Sequence, residues 1–139
     1  MVTPTTTKQV TLESAQAVID AARKQAEQIG VPMNVAVVDE GNNLVAFARM
    51  DGAWLGSIDI AQGKAYTARA FDMGTDALAP MCQPGEPLFG IHASNQGRLV
   101  IFPGGVPLKA DGAVVGAIGA SGGRPDQDQQ VAEAAAAVF

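Results

Sequence analysis

The sequence predicts a single α+β domain built on an antiparallel sheet, and three features predict it. Short apolar runs are joined by Asp-, Asn- and Gly-containing turns, which favours hairpins over long crossovers. Segments with apolar residues at three-to-four spacing mark helices flanking those hairpins. The length, 139 residues, suits one domain with its own core.

Residues 1–10, with Pro4, read as a polar lead-in, so the domain spans 11–139. Thr11 offers a helix N-cap. Leu12, Ala15, Val18, Ile19, Ala22, Ala26 and Ile29 then fall on one face, until Gly30 and Pro32 stop the helix. Met33–Val38 and Leu44–Met50 are mostly apolar and flank the turn Asp39-Glu40-Gly41-Asn42, which predicts a hairpin. Asp51-Gly52 breaks the second strand, and Ser57 can cap a second helix running to about Phe71. A short helical piece near Asp76–Cys82 precedes the Pro/Gly loop Gln83–Pro87. Three apolar runs follow, Leu99–Phe102, Val106–Lys109 and Ala113–Ala120, the last two joined at Asp111-Gly112. Gly122-Gly123-Arg124-Pro125 leads into a final helix to Phe139, with Asp126 and Asp128 complementing its dipole. The predicted order is α-β-β-α-β-β-β-α.

Composition narrows the function. The 25 alanines and 16 glycines against seven aromatics let backbones approach closely, so the few large side chains mark either core or site. A net charge of −5 argues against a nucleic-acid or anionic-membrane surface. A lone cysteine, Cys82, excludes an internal disulfide and a thiolate metal cluster and fits a reducing compartment. No run reaches the ~18 apolar residues of a membrane span, and Met1–Lys8 has no signal-peptide core, so the expectation is a cytoplasmic protein.

Lys64 is the sharpest physical pointer. On a helical wheel it sits in the middle of the apolar arc of the second helix, with Ile60, Ala61, Ala65 and Ala68, while Gln62, Tyr66, Asp59, Gly63 and Arg69 take the other side. A buried ammonium must be paired or must reach a cavity. It is therefore either a structural lysine meeting a carboxylate, or a pocket lysine that binds an anion or acts as base or electrophile. Arg49 and Asp51, beside Trp54 at the end of a strand, are candidate catalytic partners on a pocket rim or members of a salt-bridged turn. Ser57, Arg98, Ser121 and Gly122 are candidate ligand-binding residues. Arg98 offers a bidentate donor beside glycines, and Ser121-Gly122 lies where a strand meets a helix N-terminus. Neither the dinucleotide fingerprint nor the P-loop is present, no His/Cys/carboxylate cluster has zinc spacing, and no Ser or Cys nucleophile motif is readable. His92 is the sole histidine, a structural residue or a ligand.

Taken together, Asn34–Asp39, Ala46–Ala53, Gly56–Ala61, Lys64–Ala68, Gly97-Arg98, Phe102–Leu108 and Gly116–Gly123 resemble the GlcG/HbpS family, which includes the C-terminal domain of PduO-type proteins. The resemblance runs over residues 10–139. It implies a profilin-like or PAS-like fold with a five-stranded antiparallel sheet, assembly into homodimers or larger oligomers, and haem as the cofactor of several members. Haem ligands differ among members, being a threonine in one and a histidine of the N-terminal region in another. The first helix here has no histidine, so no ligand transfers and His92 is the candidate. Three readings follow: a cytoplasmic small-molecule-binding protein taking haem or another tetrapyrrole; an enzyme acting on a carboxylate- or carbonyl-bearing metabolite through Lys64; or a structural, accessory oligomer.

Overall fold

The computed structural model describes residues 6–139, so Pro4 and the start of the lead-in lie outside the described residues. The chain runs α1 (Leu12–Ile29), β1 (Asn34–Val38), β2 (Leu44–Arg49), α2 (Ser57–Phe71), α3 (Thr75–Leu78), three short 3₁₀ turns, β3 (Gly105–Ala110), β4 (Ala113–Ser121) and α4 (Pro125–Ala136). The sheet is antiparallel throughout, in the order β2-β1-β4-β3.

Local chemistry sets the helix ends. Thr11 Oγ1 accepts from the Ser14 N–H at 3.0 Å while Ser14 Oγ accepts from the Thr11 N–H at 2.9 Å, a reciprocal box at the start of α1. Gly30 closes α1 in the left-handed region, φ +71°, where a side chain would be strained. Ser57 does not cap α2 as expected. Gly56 occupies the N-cap, and Ser57 is the first helical residue with its side chain buried.

Period-two alternation divides the strands between two layers. Val35 and Val37 of β1 and Ile118 and Ala120 of β4 face α1 and α4. Ala36, Val38 and Ala117 face the other way, onto Ala61, Ala65 and Ala68 of α2. Central β1 is therefore buried along its whole length. The α1 face of the core contains Ala15, Val18, Ile19, Ala22 and Ala26 as predicted, but Leu12 at its start is 57% exposed. On the α2 side the small residues are a geometric requirement. A Cβ on Gly119 of β4 would lie 2.1 Å from Ala61 O and 2.6 Å from Ala65 N, so the helix backbone rests directly on the strand.

Two further expectations fail. Among the described residues the sheet has four strands, not five: Leu99–Phe102 forms no strand. Its Val100 N–H donates instead to Thr67 Oγ1 of α2 at 2.9 Å, and Gly63 leaves room for Val100 to lie on that helix. The last helix ends at Ala136; beyond it Phe139 still packs on the core, and Lys8 Nζ donates to Phe139 O at 2.7 Å. The sheet edges also differ in chemistry. Edge strand β3 carries Pro107 and Lys109, whereas β2 has neither proline nor charge before Arg49 at its end.

The packing of α2 predicts a contrast between two glycines. Gly119→Ala must push helix and strand apart and costs about 3 kcal/mol, the upper end of overpacking penalties. Gly56→Ala, at φ −64° with nothing within 4 Å, stays within about 0.5 kcal/mol of wild type. Urea denaturation of both variants checks the pair.

Candidate functional site

Lys64 is completely buried and bridges the layers. It starts on α2, and its Nζ donates to Asp128 Oδ2 of α4 at 2.7 Å and to Ala120 O at 3.0 Å. The ammonium passes the sheet where β3 has not yet begun. Gly104 O accepts the Ala120 N–H at 2.9 Å, but the Gly104 N–H, which would return the ladder bond, turns away to Gln129 Oε1 at 3.0 Å. Lys64 supplies the donor that Ala120 O would otherwise lack. The other carboxylate oxygen, Asp128 Oδ1, accepts the N–H groups of Gly122 at 3.2 Å and Gly123 at 2.9 Å. The Phe102 ring covers the ammonium, 5.0 Å from its centroid.

The predicted residues Lys64 and Gly122 are thus brought together, around an anion that the chain itself provides, while Ser121 is buried opposite Asn34 of β1 with no contact to that anion among the described hydrogen bonds. Asp128 is no surface dipole partner but a buried carboxylate filling the glycine N–H cradle. Burial pulls the Lys64 ammonium below its usual 10.5, and the charge and hydrogen bond of Asp128 pull it partly back.

The other candidates lie elsewhere. Arg49 and Asp51 are exposed and line a cleft of about 460 Å³ with Arg23 and Glu27 of α1. Lys64 does not line this cleft, so the expected grouping of Lys64 with Arg49 and Asp51 does not form. His92 is exposed in the turn Ile91–Ala93, with Phe89 meeting it edge-on at 5.9 Å between ring centroids. Exposed Leu88 adds apolar surface to the same segment.

Arg98 is the exposed candidate held by two protein partners. Its guanidinium lies 4.2 Å from the Tyr66 ring centroid, and its Nε donates to Asn95 O at 2.9 Å. The Tyr66 hydroxyl donates to Asn95 Oδ1 at 3.1 Å. Behind the ring, Asn42 Nδ2 donates to Tyr66 O at 3.0 Å, while Asn42 Oδ1 is buried with no partner among the described residues. Three successive left-handed residues, Asn95, Gln96 and Gly97 (φ 51°, 59° and 73°), hold the loop. Gln96 is the strained one, since glycine and asparagine tolerate that region far better. The outer face of α2 and this loop enclose a cleft of about 370 Å³. Asp59, Gln62, Gly63 and Tyr66 recur there at helical spacing, the face opposite the apolar arc. The sequence showed this polar face but gave no signal that Arg98 would stack on it.

Comparison with known proteins places the chain. The model of the haem-degrading HbpS-like family matches residues 10–137. The chain belongs to the HbpS-like family. An uncharacterized 15.0 kDa protein of the dhaT-dhaS intergenic region of Citrobacter freundii is 42% identical over 130 residues, 94% of this chain and 92% of its own. Among solved structures, Klebsiella pneumoniae ORFY superposes with a TM-score of 0.93 at 38% identity, over all of this chain and 96% of that one. A structure described as a PduOC:heme complex superposes with a TM-score of 0.89 at 35% identity, covering 94% of each chain. The family suggested by the sequence motifs is therefore the right one, and its α+β architecture here contains four strands.

The enclosed ion pair yields two predictions. Lys64→Met alone leaves Asp128 buried and unpaired and costs about 3–5 kcal/mol. Adding Asp128→Asn removes the unpaired charge while keeping an acceptor for Gly122 and Gly123, so the double variant is more stable than the single one, as urea denaturation will read. The second concerns alkaline pH. Because burial lowers the Lys64 value, the unfolded lysine keeps its proton to higher pH than the folded one, and this group's contribution to stability rises as pH climbs toward 10.5. The stability of wild type relative to the double variant should increase between neutral pH and about pH 10.

Proposed function

We propose that this protein binds haem, with His92 as the residue that would hold its iron. The solved haem complex of a relative at a TM-score of 0.89 carries the reading. The residues present fit the group in their donor chemistry. His92 offers an exposed imidazole, the ligand type that haem iron takes in many proteins, and it stands beside exposed Phe89 and Leu88, which suit a porphyrin face. Haem, when bound, supplies the iron centre; the chain supplies the imidazole and the apolar surface.

Binding is favoured over lysine-centred catalysis because two protein oxygens hold the Lys64 ammonium inside the core. A base or electrophile there requires Asp128 and Phe102 to move first. A homo-oligomeric, cytoplasmic protein remains our reading of its state and location. The buried thiol of Cys82 is consistent with a reducing compartment.

Hemin titrated into the protein should give a saturable, sharpened Soret band. His92→Ala should shift that band and weaken binding by at least the tenfold or so that loss of an outer-shell metal partner brings. Absence of saturable binding overturns the proposal; an unchanged spectrum in His92→Ala removes His92 as the ligand.

A further inference from the structure

The cleft between α2 and the Asn95–Val100 loop has the makings of a second binding site, independent of the haem reading. Its central group is Arg98. With one guanidinium face on Tyr66 and Nε held by Asn95 O, only the two terminal nitrogens point away from protein partners. Among the described residues no carboxylate lies in ion-pair range of them. A stacked arginine with a free fork is preorganised for a carboxylate, because its side-chain entropy is already lost.

Several features keep the cleft in this form. Gly63 on α2 lets the loop approach, since a Cβ there would meet Val100 Cγ2 at 2.6 Å and Arg98 O at 3.1 Å. The left-handed Gln96 stores backbone strain at the rim. Val38, Leu44 and Val100 supply the apolar lining, and Leu44 is half exposed. The lining also holds Asp59 of α2, whose carboxylate makes no salt bridge among the described residues. The lining therefore combines one cation, one anion and an aliphatic surface in about 370 Å³.

We propose that this cleft binds an aliphatic α-amino acid, its carboxylate on the Arg98 fork, its ammonium toward Asp59 and its side chain against Val38, Leu44 and Val100. A zwitterion neutralises both charges, whereas a dicarboxylate would face Asp59 and a simple amine would face Arg98.

The test uses three probes on the ¹⁵N-labelled full chain: L-leucine, 4-methylpentanoate, which lacks the ammonium, and 3-methylbutylamine, which lacks the carboxylate. L-Leucine should shift the Gly63, Gly97 and Arg98 Nε–H resonances saturably, and each partial probe should bind about tenfold or more weakly. Arg98→Gln should abolish the leucine response, and Asp59→Asn should reduce leucine to the affinity of 4-methylpentanoate. Both positions are exposed, and the unshifted resonances of the α1 and α4 core report that each variant is folded. No saturable leucine response, or one surviving in Arg98→Gln, overturns the proposal. Hemin is the fourth titrant. If hemin binding falls in Arg98→Gln while none of the small probes binds, Arg98 serves a haem propionate; that result overturns the amino-acid site and leaves the haem reading standing.

Discussion

The Lys64–Asp128 pair fixes the relation between the two helical layers. Alanine and glycine contacts on the α2 side give close approach but little that is directional, since small apolar surfaces can slide. The ammonium supplies the direction. It joins α2 to the first turn of α4 beside Ala120, where Gly104 turns its own N–H away to Gln129. The Gly122-Gly123 turn depends on the same carboxylate, because both N–H groups end on Asp128 Oδ1. Removing Lys64 leaves Asp128 Oδ2 and Ala120 O without that donor, and removing Asp128 leaves the Gly122 and Gly123 N–H groups and the ammonium without their carboxylate.

A core closed in this way leaves exposed side chains as the ones available to ligands. The outer side of α2, the strained Asn95–Gly97 turn and the exposed Phe89–His92 segment carry a guanidinium fork, a carboxylate and an imidazole, as the separate cleft at Arg49 and Asp51 carries its own charges. The division follows the helix itself. Its apolar arc buries Lys64, and its opposite face presents Asp59, Gln62 and Tyr66. One helix therefore separates the part of the sequence that holds the fold from the part that can meet a ligand.

Much of this was legible in the chain. Periodicity located α1, β1, β2, α2 and α4 to within a few residues, and the position of Lys64 on an apolar arc called for either a paired ammonium or one that reaches a cavity. The identity of that partner was not legible, because Asp128 is 64 positions away and its spacing suited a solvated helix N-terminus equally well. Leu99–Phe102 looked like a strand because extended apolar residues score alike whether they pair with a sheet or lie on a helix. Thr67 Oγ1 decided the matter by taking the Val100 N–H, a tertiary event. Arg98 stood out as a lone cation among glycines, but its stacking on Tyr66 depends on three consecutive left-handed residues, of which only the glycine announces itself.

The unequal sheet edges carry a consequence for assembly. Proline removes a ladder donor, and an edge lysine is costly to bury against another strand, so β3 is a poor template for strand addition. Strand β2 pairs with β1 on one side and has no such guard along its length. A molecule with one receptive edge can extend its sheet once. If two such sheets join through β2, each blocks the other's open edge, and what remains outward on both sides is β3. Pairing through β2 would thus leave outward only the edges whose proline and lysine disfavour adding another strand.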